Sequence, residues 1–145
     1  MTHLYDELVE ILEKEYNLCI QLVELLKREK EVIVKLNSYD LEQLLREKET
    51  LTFKIKGCDE MRDNLLIRFG IKNLNIKEIA HRTNGNHKKR LLELAEDFSL
   101  VIQDIRDLNK INSMLIAKSL HYIKTSYNFL TTFNISPREK LSMEA

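Results

Sequence analysis

Apolar residues recur at alternating steps of four and three over residues 4–36: Leu4, Leu8, Ile11, Leu18, Leu22, Leu25, Val32 and Leu36. Glu15 and Glu29 interrupt the same rhythm. Residues 41–69 repeat it with Leu41, Leu44, Leu51, Ile55, Cys58, Leu65 and Phe69, and here Lys48 and Arg62 fill the interrupted places. A period of 3.5 belongs to a coiled-coil seam, narrower than the apolar face of an ordinary surface helix. With the chain folded back at Asn37-Ser38, Glu29 stands level with Lys48 and Glu15 with Arg62. Each charged break in one seam then meets the opposite charge in the other. The pattern predicts a hairpin of two long antiparallel helices.

The ends of these helices carry their own signals. Thr2 is a capping residue for the first, which should run to about Leu36, with Asp6 and Glu7 in its first turn where the helix dipole favours acids. Asn37-Ser38-Tyr39-Asp40 breaks the pattern, and Asp40 followed by Gln43 reads as a capping box for the second helix. That helix should end at Phe69, with Gly70 taking the left-handed position beyond it. Gly57 in its interior is a weakness of about 1 kcal/mol relative to alanine. In the connector 71–86, Asn75 can cap a short helix over Ile76–Arg82 whose Ile76, Ile79 and Ala80 pack across the bundle end. Asn84-Gly85-Asn86 is a turn signal.

From about His87 to Phe133 nothing breaks a helix. Leu91, Leu94, Phe98, Val101, Ile105 and Leu108 form its early seam, widened by Ala95 and Ile102. At 1.5 Å per residue the first two helices are about 50 and 45 Å long and the last about 70 Å. Running back antiparallel to the second, it outruns the hairpin turn after about Ala117. The expected fold is all-α: an antiparallel long-helix hairpin, a short connector helix and a third long helix in one coiled-coil-like bundle. Residues 1–134 form the domain and residues 135–145, with the only proline, a flexible tail.

The overhanging end is apolar where a free end should be polar. Ile116, Leu120, Ile123, Tyr127 and Leu130 form a new stripe about 100° around the helix from the old seam. Burying five such side chains is worth roughly 8–15 kcal/mol before ordering and association costs, which leaves room for about micromolar binding. Such a stripe docks another amphipathic helix, pairs with a second copy in a homodimer, or folds back on the bundle.

Composition narrows the classes further. One proline and three glycines in 145 residues argue against an all-β chain, and the charges balance to a net of zero. Neither nucleic-acid binding nor membrane insertion is indicated, and the acidic start at Asp6 is unlike a signal peptide. Cys19 and Cys58 stand at one level of the hairpin, so a disulfide is geometrically open, although two reduced thiols are the simpler reading. His3, His81, His87 and His121 are scattered without metal spacing, and His87-Lys88-Lys89-Arg90 reads as a solvated helix start. The Glu29/Lys48 and Glu15/Arg62 pairs specify register rather than catalysis, because no nucleophile, metal or phosphate motif accompanies them. No catalytic residue, metal or cofactor is expected.

A family resemblance adds to this. Leu25-Leu26-x-x-Glu29, Asp40-Leu41, Leu44-Leu45, Lys48, Leu51 and Arg62 resemble FlgN-type flagellar export chaperones. So do Gly70 followed by Ile76-x-x-Ile79-Ala80, and the run Ile105, Leu108-Asn109, Asn112, Leu115-Ile116 and Ser119-Leu120. The resemblance implies a bacterial, cytoplasmic, non-enzymatic protein. It would bind the C-terminal amphipathic helices of the hook–filament junction proteins and deliver them to the flagellar type III export apparatus. It also implies client binding in the C-terminal part, carried over here to Ile116, Leu120, Ile123, Tyr127 and Leu130 with Tyr122 and Phe133 beside them. Asn109 and Asn112 match family positions and either cap a kink or bond across the seam.

Overall fold

The computed structural model describes residues 2–133, the side chain of Thr2 excepted, so the expected Thr2 cap and the tail 135–145 lie outside it. Within it the chain is all-α and has four helices: α1 (Thr2–Val34), α2 (Ser38–Arg68), α3 (Ile76–Ala80) and α4 (Gly85–Thr132). Two helix ends depart from expectation for one shared reason. Leu36 takes the left-handed conformation, φ 54°, and α1 stops at Val34. The Leu36 N–H donates to the Ile33 carbonyl at 3.1 Å and the Asn37 N–H to the Val32 carbonyl at 3.3 Å, which closes the helix end as a Schellman motif. A leucine there costs about 1–2 kcal/mol of backbone strain.

The sharp turn leaves Asn37 extended and able to cap α2, three residues before the expected Asp40. Its side-chain oxygen accepts from the Asp40 N–H at 3.1 Å while its amide donates to the Asp40 carboxylate at 2.8 Å. Asp40 is thus the third residue of the helix rather than its cap. The first turn of α1 holds no acid, because a helix beginning at Thr2 puts Asp6 and Glu7 past it. At the far end of α2 the expectation and the structure agree. Gly70 sits at φ 74°, and Gly70 and Ile71 donate to the Ile67 and Leu66 carbonyls, each at 2.9 Å. The helix runs through Gly57 unbroken, with open space where a Cβ would stand.

α1 is the middle of the molecule. It packs along α2 on one side and α4 on the other, and the backbones of α2 and α4 do not approach within 8 Å of each other. The cause is a second seam on α1, one residue on from the first: Tyr5, Val9, Leu12, Tyr16, Cys19, Val23, Leu26 and Ile33. All are buried or half-buried. Tyr16 meets Phe98 edge-on at 5.8 Å between ring centroids, and Tyr5 lies 5.8 Å from the His87 ring. α4 therefore runs parallel to α1. α3 closes one end against α4 with Ile79 and Ala80 buried, its Asn75 side chain accepting from the Glu78 N–H at 2.8 Å. It ends at Ala80, two residues short of the expected Arg82. α4 begins at Gly85, two residues before His87, with φ 61° at that glycine.

Candidate partner-binding surface

The seam charges mark how far the bundle extends. Lys48 Nζ donates to Glu29 Oε2 at 3.3 Å, tying α2 to α1. The other oxygen of Glu29 accepts from Asn112 Nδ2 at 2.9 Å, and the same amide donates to the Leu26 carbonyl at 3.0 Å. One buried carboxylate thus bridges all three long helices near the hairpin turn, with Asn112 only 2% exposed. Asn112 bonds across the packed seam, while Asn109 is solvent-exposed. The Asn112 side-chain oxygen has no hydrogen-bond partner among the described residues.

Toward the α3 end, Arg62 donates to Glu15 at 2.8 Å and to Asp59 at 2.9 Å. Burial, then the nearby Asp59 carboxyl, raises the Glu15 carboxyl to about 8 against the opposing pull of Arg62. Cys19 and Cys58 are buried free thiols. Burial foremost pushes Cys19 up to about 11 and raises Cys58 too, so both thiols stay protonated and unreactive. Among the described residues no three His, Cys, Asp or Glu side chains gather as a metal site. The basic run at the start of α4 is partly absorbed internally: His87 meets Asp6 at 2.6 Å and Arg90 donates to Glu13 at 2.9 Å.

Past Asn112 the burial of α4 ends. Leu91, Leu94, Phe98 and Val101 are core residues, and Ile105 and Leu108 are half-buried. Ile102, expected to widen the packed face, is instead exposed, on the rim of an open groove that it lines with Arg62, Asp63 and Leu66 of α2. Beyond the turn Leu120, Ile123 and Tyr127 are 61%, 55% and 56% exposed. Ile116, Tyr122, Phe129 and Phe133 are exposed as well, and Leu130 is half-buried. The Asn112–Glu29 bond fixes the register of α4 on α1, so the helix extends about 22 Å past the end of α1.

The stripe is not a bare rod along its whole length. Ile116, Ser119, Leu120 and Ile123 face Val32, Ile33 and Leu36 from the end of α1 and Asn37, Ser38 and Leu41 from the start of α2. Together they line an open, mainly apolar groove of about 220 Å³. The strained Leu36 forms part of its wall. These turn residues were not among the expected contacts, although the register that levels Ala117 with the turn puts Leu36 and Leu41 opposite the stripe. Phe129 was also missed; its ring lies 4.7 Å from that of Phe133.

No helix among the described residues is long and apolar enough to cross a membrane. A family model described as FlgN protein matches residues 1–134. No curated protein and no solved structure gives a match.

Proposed function

The chain belongs to the FlgN family of flagellar export chaperones, and from that premise we propose that it holds the C-terminal amphipathic helices of hook–filament junction proteins in the cytoplasm. The client helix lays its apolar face along Ile116, Leu120, Ile123, Tyr127 and Leu130, with Tyr122 and Phe133 beside them. It is kept soluble there until it is handed to the type III export apparatus. The observation that carries this reading is the exposed apolar surface of α4 beyond the bundle, walled at its near end by the α1–α2 turn. A soluble monomer does not usually leave so continuous an apolar face open to water. Helix-in-groove docking needs no reaction chemistry, only a higher affinity for the free client than for the client at the export gate.

Co-expression with the C-terminal segment of a junction protein should yield a soluble complex. Replacing Leu120, Ile123 and Tyr127 together with serine should abolish that complex while circular dichroism stays unchanged. A complex that survives the triple replacement would remove this surface from the reading. Competition between junction-protein, filament-cap and flagellin segments assigns the client. A dimer that forms through the same stripe and ignores all three would instead favour a structural adaptor.

A further inference from the structure

The overhang differs from the rest of the molecule in charge as well as in exposure. Residues 85–107 of α4 mix four basic with five acidic side chains. Between Asp107 and Phe133 there is no acid at all, only Lys110, Lys118, Lys124 and His121. The three lysines are exposed, and among the described residues none of them forms an ion pair. Their placement around the helix is ordered. At about 100° per residue, the Leu120–Ile123–Tyr127 line and the Tyr122–Phe129–Phe133 line enclose Ser119 and Ser126 between them. Lys124 stands at the outer border of the first line and Lys118 at the outer border of the second. Asp40, the acid of the hairpin turn, is already engaged in the Asn37 cap.

We propose that these lysines make the surface selective for an amphipathic helix whose apolar face is bordered by acidic side chains. This selectivity presupposes that the overhang is the client surface. Charges flanking an apolar seam choose partners in coiled coils, where opposite charges across the border attract and like charges repel. A second copy of this chain would bring lysine against lysine, so the same feature that favours an acidic helix works against self-pairing. An anionic bilayer offers negative charge too, but it cannot fill a groove walled on two sides by Ile116 and Leu120 and by Leu36 and Leu41. A helix of ordinary diameter can.

The test uses the full chain and three synthetic helical peptides of about 20 residues, long enough to cover the overhang. They share one apolar face and carry Glu, Gln or Lys at its borders. At about 0.05 M NaCl the Glu peptide should bind about tenfold more tightly than the Lys peptide, with Gln between. At about 0.5 M NaCl the spread should shrink to about twofold. The double variant K118E/K124E should invert the order, and K118Q/K124Q should collapse it, both with wild-type helicity because these side chains are exposed. Equal binding of all three peptides at low salt would overturn the charge selection and leave apolar docking standing. Failure of all three to bind would remove both. Vesicles of phosphatidylglycerol outcompeting the Glu peptide, or a dimer that outcompetes it, would also overturn the proposal.

Discussion

The two halves of α4 are one unbroken helix in opposite surroundings. The first half buries Leu91, Leu94, Phe98 and Val101 against α1 and α3, and its charges are mixed. The second half leaves residues of the same apolar character in water and carries only positive charge. Sequence hydrophobicity does not separate them. What separates them is where α1 ends, because a side chain is core only if another element reaches it. The boundary is held by Asn112, the last buried residue of α4, whose amide bonds to Glu29 and Leu26 of α1. Stability should therefore reside on one side of Asn112 and recognition on the other.

The contrast is broken most directly by trimming one leucine from each half. Leu94→Ala removes a fully buried side chain and should cost about 2–5 kcal/mol in urea unfolding. Leu120→Ala should change stability by less than about 0.5 kcal/mol while weakening binding to a junction-protein helix severalfold. If Leu120→Ala destabilises as Leu94→Ala does, the overhang belongs to the core.

A smaller effect sharpens the contrast through pH. The folded Glu15 carboxyl keeps its proton up to about 8, whereas the unfolded one releases it near 4.5. Between those values the folded state binds the extra proton, so stability should fall as pH rises, by at most about 1.4 kcal/mol per unit. Urea midpoints at pH 5.5 and pH 8 should show this slope, and Glu15→Gln should flatten it. Client affinity should be indifferent to the same substitution. A slope that persists unchanged in Glu15→Gln would assign it elsewhere.

The smallest expected effect is the most diagnostic, because its two readouts move in opposite directions. Leu36→Gly relieves a left-handed leucine and should raise stability by about 1 kcal/mol. It also removes part of the groove wall and should weaken client binding. Thermal unfolding and a binding titration on one variant measure both. Strain kept at the proposed recognition surface predicts this trade; a variant improved or harmed in both respects would contradict it.

Much of this was legible in the sequence because coiled-coil seams are written in a single period. The stripe on α1 that meets α2, its two glutamates and their basic partners, the Gly70 helix end and the length of α4 all follow from spacing. The second seam on α1, from Tyr5 to Ile33, was equally present but easily passed over. Reading one stripe per helix hides a helix that is buried on two sides, and so the middle position of α1 was missed. Residue type misled at the α2 start: Asn37 and Asp40 are both good caps, and only the left-handed Leu36 decides between them. The groove walls were less accessible, since Leu36 and Leu41 belong to different helices and become neighbours of Leu120 only once the turn is built. For Asn112 the sequence offers a kink cap or a bond across the seam, and the structure has the second; its partners, a distant carboxylate and a backbone carbonyl, leave no periodic trace and so could not be named.

The central place of α1 also orders events on the ribosome. A chain made from its N-terminus completes α1 first and then α2, so the hairpin can zip while α4 is still being translated. α4 then docks from its glycine start toward Asn112, on a face of α1 that has waited for it. The last described residues to emerge are those of the overhang. The groove wall is already standing when they arrive, so the proposed client surface is completed only after its own scaffold.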